Sequence, residues 1–229
     1  MQYALVDGQR SQAFKGMNGV CEHCKSSVIA KCGSIKIHHW AHQSTKDCDH
    51  WWEPETPWHR DWKNLFVEEF REVLFVDKNT GEPHRADIHT DKGITLEFQN
   101  SAISPQEQTS REQFYKNLVW IVNGARLKRD FPRFANDLKR FVLVSKGVFR
   151  LDYPEECFSQ TWVGRTVPVI FDFLGTETTE IAPEKKPLYC LLPTRLGRYA
   201  IIAVLSRAEF VKAISKGNWL PWVNKYHDC

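Results

Sequence analysis

Four of the seven cysteines lie between Cys21 and Cys48, interleaved with histidines, in a stretch too poor in apolar residues to fold alone. Two spacings stand out there, Cys21-x2-Cys24 and His39-x2-His42. Thiolates and imidazoles in this mixture suit a closed tetrahedral zinc site. A CxxC on a tight turn brings both sulfurs to one ion, and the metal supplies the staple that a small core lacks. Clustered Cys and His, with an odd cysteine total, read as metal binding before disulfide bonding. The expected ligands are Cys21, Cys24, His39 and His42. The histidine spacing is two, not the three to five of a zinc finger, and Cys32, His38, Cys48 and His50 compete as donors. Four protein ligands leave no open position, so the expected zinc is structural. Reduced thiols without metal, or a redox pair, are the competing reading.

The remainder is long enough, at 229 residues in all, for one substantial domain or a medium domain beside a small module. The expected division is a zinc-binding Cys/His module over 1–50, a core over 51–150 and an α+β extension over 151–229. The N-terminus lacks the apolar stretch of a signal peptide, and no segment reaches the ~18 apolar residues of a membrane span. A cytoplasmic protein without a membrane partner is therefore expected. The net charge of +3 gives no global basic field, so nucleic-acid binding would need a local patch.

The periodicities predict an element order. Asp7-Gly8 marks a hairpin turn, and the apolar pairs around Gly33 suggest a second hairpin. Trp58, Trp62, Leu65, Phe66 and Phe70 recur at helical spacing, predicting a helix over 53–72, with Pro54 and Pro57 at its start. On it Glu55, His59 and Lys63 share a face. Three short strands follow, turned by Asn79-Thr80-Gly81 and Asp91-Lys92-Gly93. Ser104-Pro105-Gln106-Glu107 reads as a capping box opening a helix to about Lys116, and "LVWIV" is the next strand. Beyond it, "LKRDFPRFANDLKRF" is basic and partly helical. Four further strands and a final helix from Ser206 to Gly217 complete the expected order.

In "ITLEFQNSAIS", Ile94, Leu96 and Phe98 face one side of a strand and Thr95, Glu97 and Gln99 the other. Asp87, in "RADI", precedes Glu97 across one tight turn and is expected near it. Adjacent carboxylates repel unless a cation neutralises them, and such oxygen-rich sites suit Mg²⁺ or Mn²⁺. An ion so held activates water against a phosphate. A solvated strand face is the plain alternative. Three features weigh against it: Glu97 and Gln99 share a face, the strand leads into a well-capped helix, and Arg111 and Tyr115 on that helix are placed to reach back.

Together, "CEHC…KIHHWAH", "ETPWH" with Lys63, "RADI", "LEFQNSAIS" and "REQFY" resemble the competence protein CoiA-like family over about residues 1–122. That resemblance implies a restriction-endonuclease-like, PD-(D/E)XK nuclease core: α+β, a mixed β-sheet flanked by helices, joined to the Cys/His module. By the resemblance Asp87 is the motif aspartate, Glu97 the second Mg²⁺ ligand and Glu55 the acidic residue of the first helix. Gln99 stands where the motif has lysine. Glutamine orients water by hydrogen bonds but cannot be the base. Lys63, His59 or Arg111 would supply the missing charge, although a solvated helix face, core packing and an ion pair with Glu107 are their respective plain readings.

The function implied is metal-dependent hydrolysis of DNA, in uptake, recombination, repair or defence, with recombination or defence proteins as partners. The basic stretches around "ARLKRDFPRF" and "DLKRF" would hold the nucleic-acid backbone. Trp51 and Trp52 would stack on bases or, as such residues more often do, pack in the core. Two other classes stay open. One is a nucleic-acid-binding accessory protein on an inactive nuclease scaffold, favoured by the neutral Gln99. The other is a zinc-stabilised protein-interaction adaptor.

Overall fold

The computed structural model describes residues 1–43, 48–51 and 54–226. Trp52 and Glu53, the expected first residue of the first helix, lie outside the described residues. The chain divides into two compact units, Met1–His89 and Thr90–Cys229. Positions on both sides of residue 50 belong to the first, and positions on both sides of residue 150 to the second.

The first unit opens with an antiparallel sheet of β1 (Tyr3–Val6), β2 (Gln9–Gln12), β3 (Asn18–Val20), β4 (Ser27–Lys31) and β5 (His39–His42), in the order β2-β1-β3-β4-β5. The Asp7-Gly8 hairpin forms as the sequence predicts: both residues have positive φ, 50° and 79°, and Val6 pairs with Gln9. Left-handed φ at both central positions matches the twist of the flanking strands. The second hairpin differs from expectation. β4 pairs with His39–His42, not with Ile35–Ile37, and Ile35 is 96% exposed. Trp40 explains the choice: it fills the core against Met1, Ala4, Ala13, Cys21 and Val28.

The helix predicted over 53–72 is shorter. α1 spans Pro57–Lys63, with Thr56 as N-cap and Pro57 in the first turn. His59 completes a capping box with Thr56, its Nδ1 2.8 Å from Thr56 Oγ1. Trp58 and Trp62 are buried and carry the helical period, whereas Leu65 and Val67 are exposed. Arg71 fixes the turn after the helix by donating to Asn64 Oδ1 at 3.1 Å and Phe66 O at 2.9 Å. A single 3₁₀ turn, Glu68–Phe70, then leads into β6 (Arg71–Val76) and its antiparallel partner β7 (Pro83–His89). Asp77 Oδ1 accepts from Asn79 N at 2.7 Å, closing the predicted turn.

In the second unit β8 (Thr95–Gln99), α2 (Pro105–Phe114) and β9 (Leu118–Asn123) form a crossover, β8 and β9 being parallel. Ser104 caps α2 by accepting from Glu107 N at 3.1 Å. Half of the predicted capping box is missing, because the Glu107 carboxylate pairs with Arg111 instead. α3 (Asp130–Asp137) ends in a 3₁₀ turn, Leu138–Arg140, followed by β10 (Val142–Ser145), β11 (Val148–Asp152), α4 (Pro154–Cys157), β12 (Val169–Asp172), β13 (Pro187–Leu196) and β14 (Tyr199–Ser206). The expected final helix is α5 (Arg207–Ser215), but α6 (Trp219–Asn224) follows it. α6 anchors Trp219, which is buried edge-on to Phe210 at 5.1 Å.

Within this unit the strands run β10-β11-β14-β13-β12-β9-β8. β8, β9 and β12 are parallel and the rest antiparallel, a mixed sheet in an α+β unit. A row of aromatics forms the core, with Phe134 stacked on Phe173 at 4.0 Å and Phe158 on Phe171 at 4.5 Å.

Candidate metal centre and buried charged clusters

Cys21 follows β3 and begins a tight knuckle. Lys25, with φ 57°, donates its N–H to Cys21 O at 3.2 Å. The turn brings Cys24 round beside Cys21, as the CxxC spacing predicts. His42, at the end of β5, and Cys48 complete a group whose donor atoms all lie within 4.8 Å of one another. Cys21 Sγ is 3.7 Å from Cys48 Sγ, and Cys24 Sγ is 3.2 Å from His42 Nε2. A zinc tetrahedron with Zn–S of about 2.3 Å has an S···S edge of about 3.8 Å. The donor set therefore fits a zinc-type ion in both chemistry and size. Hydrogen bonding to Cys48 holds the Cys21 thiol well below the usual thiol range and pushes that of Cys48 up.

Here His39 is the correction. A strand alternates its faces, so His39 and His42, three apart on β5, point to opposite sides. His39 Nδ1 instead bonds Ile37 O at 2.9 Å, and Cys48 takes the fourth place. Among the described residues this is the group of three or more such donors close enough to one another to share a metal ion, and it contains no carboxylate.

A second cluster in the same unit centres on Lys63, at the end of α1. Its Nζ lies 2.9 Å from Asp87 Oδ1, 3.1 Å from Glu72 Oε1 and 3.5 Å from Glu55 Oε1. Burial alone would lower the ammonium pKa. Asp87, Glu55 and Glu72 more than offset it and hold the value above the ordinary lysine range. Glu55 precedes the N-cap and is not on the helix. Arg60 grips it with Nε at 2.9 Å and Nη2 at 3.0 Å. Glu72 is buried with φ 50°, a left-handed strain of roughly 1–3 kcal/mol for a non-glycine. Its carboxylate accepts from Gln2 N at 2.7 Å and Tyr3 N at 3.3 Å. His59 is engaged in the cap of α1. Trp51 stacks on His84 at 3.5 Å, which places it in packing.

Glu97, Gln99 and Arg111 belong to the second unit. β8 is buried along its whole length, so Glu97 and Gln99 do not face solvent. Arg111 Nη1 donates to Glu97 Oε2 at 2.7 Å, meeting the expectation that α2 reaches back to the strand. Gln99 Nε2 donates to Ser101 Oγ at 3.1 Å. Gln99 also lines a cavity of about 50 Å³ at the carboxyl ends of β8, β9 and β12, with Asn123, Arg126, Arg133 and Trp162. Ligands favour that end of parallel strands.

Sequence reading left Glu72, Arg60 and Arg85 unassigned. For Arg85 a signal existed: in "RADI" it shares the face of Asp87, two residues on. For Glu72 none did, since its position depends on backbone strain.

No curated protein and no solved structure matches the chain. Residues 7–50 match the family model described as competence protein CoiA, N-terminal domain, and thus the segment bearing all four residues of the candidate metal centre is similar to that domain.

Proposed function

We propose that the chain is a metal-dependent nuclease acting on DNA, in a competence-related role such as uptake or recombination. The likeness of residues 7–50 to the CoiA N-terminal domain supports the role. One observation supports the activity: the buried Lys63 ammonium stands 2.9 Å from Asp87, the motif aspartate of the resemblance.

In this reading Asp87 and Glu97 each offer hard carboxylate oxygens to Mg²⁺ or Mn²⁺. The ion would supply Lewis acidity toward the phosphate and a more acidic water. Both acids are paired with a cation, Lys63 and Arg111, so a divalent ion has to displace or share those partners. Gln99 orients the attacking water through its amide. Lys63, held protonated, stabilises charge developing on the phosphate and does not act as base. The Cys/His centre keeps a structural zinc.

A second reading rests on the same pairs. If Lys63 and Arg111 neutralise both acids permanently, the chain binds nucleic acid without cutting it. Incubation with single- and double-stranded DNA and Mg²⁺ or Mn²⁺ separates the two: cleavage supports the nuclease, and salt-sensitive binding without cleavage supports the scaffold.

A further inference from the structure

Arg85, on β7, stands between the two charged clusters of the first unit. Its Nη2 donates to Cys21 Sγ at 3.8 Å, and its Nη1 lies 3.7 Å from Glu72 Oε2. Its main-chain N–H donates to Asp49 Oδ2 at 3.0 Å, and Asp49 adjoins Cys48. The residue is thus tied to the metal-binding end of the sheet through both side chain and backbone.

Charge counting gives this position a purpose. One Zn²⁺ with three thiolates and a neutral imidazole carries 2 − 3 = −1. A surplus charge beside a buried sulfur is unfavourable unless it is paired and hydrogen-bonded. Arg85 is the cation that donates to that sulfur, and a guanidinium can serve Cys21 and Glu72 from separate nitrogens.

We propose that Arg85 is the charge partner of the Cys21/Cys24/His42/Cys48 centre, a positioning residue that orients the Cys21 sulfur and offsets the third thiolate. The inference rests on the zinc reading of that centre. One guanidinium thereby serves the metal centre and the buried Glu72 together.

The test is the zinc affinity of the full chain, measured by competition with a chromophoric chelator. Loss of an outer partner of a metal ligand typically weakens affinity about 10–100-fold, and that is the loss expected for Arg85→Gln. Arg85→Lys keeps the charge and should retain most of the affinity. Cys48→His would make the site neutral, so adding Arg85→Gln in that background should cost under about threefold, since the charge to be offset is gone. An Arg85→Gln affinity within about twofold of wild type, or an equal penalty in both backgrounds, overturns the proposal. Should Arg85→Gln fail to fold, the cobalt-substituted centre of Arg85→Lys decides. A shifted thiolate charge-transfer band supports the Arg85–Cys21 bond, and an unshifted band with unchanged affinity overturns it. A wild-type chain that takes up no zinc overturns the zinc reading itself, and so differs from a failure confined to Arg85.

Discussion

Lys63 Nζ stands 2.9 Å from Asp87 Oδ1, brought from the last turn of α1 to β7. Glu55 and Glu72 approach the same nitrogen, so the ammonium is the common counter-charge of three carboxylates. Removing it takes a shared counter-charge from all three, and Arg60 at Glu55 and Arg85 near Glu72 make up only part of it. Lys63→Met is expected to destabilise the chain by about 3–5 kcal/mol, the usual cost of deleting one partner of a buried ion pair. Urea unfolding checks this, and a loss under about 1 kcal/mol would show that the cluster is solvated.

Acid should reach the same cluster. Burial pushes the Glu72 carboxyl up, but Lys63 and Arg85 pull it below the ordinary range, and Glu55 is lowered in the same way. A depressed folded-state pKa stabilises above the unfolded value, about 4.3, and that stability fades as pH falls below it. Lys63 has the opposite sign: its raised pKa stabilises below about 10.4 and contributes fully throughout the acid range. Stability should therefore begin to drop as pH falls past about 4.3 and go on dropping below about pH 3, because the Glu72 carboxyl is held far down. Glu72→Gln should flatten that slope, and an unchanged slope would remove Glu72 from the account.

The metal ligands give a sharp contrast. Cys48→Ser should lose zinc, whereas His39→Ala should keep a full complement, because His39 faces the other side of β5. Metal analysis of the purified proteins reads this directly. Zinc lost on His39→Ala and kept on Cys48→Ser would restore the ligand set expected from spacing.

Much of the local structure was legible because turn and cap chemistry is local. Asp7-Gly8, Asn79-Thr80-Gly81 and Ser104-Pro105 each specify a backbone conformation by themselves. The CxxC knuckle was legible for the same reason. The choice of His42 over His39 was not, because it depends on whether 39–42 is a strand, and Trp40 decides that by filling the core. The helix read over 53–72 runs too far because its apolar period continues into the 64–70 turn, where Arg71 donates to the main-chain carbonyls of Asn64 and Phe66 that helix bonds would otherwise satisfy. Glu72 was invisible, since φ 50° at a glutamate follows from its buried partners and from no residue preference.

Packing in the second unit supplies a control away from any charge. A Cβ on Gly124 would lie 2.4 Å from Phe173 Cδ1, inside the stacked aromatic row. Gly124→Ala should cost about 1–3 kcal/mol through overpacking. A thermal midpoint equal to wild type would mean that the row yields.

Cleavage of DNA with Mg²⁺ or Mn²⁺, by wild type beside Asp87→Ala and Glu97→Ala, tests whether these carboxylates carry a nuclease activity. The expected result is metal-dependent cleavage that falls on the order of 10³-fold in each variant, as suits the loss of several kcal/mol of transition-state stabilisation. Cleavage persisting at the wild-type rate in both variants would contradict the site, and binding without cleavage in the wild type would leave a nucleic-acid-binding scaffold in place of the enzyme.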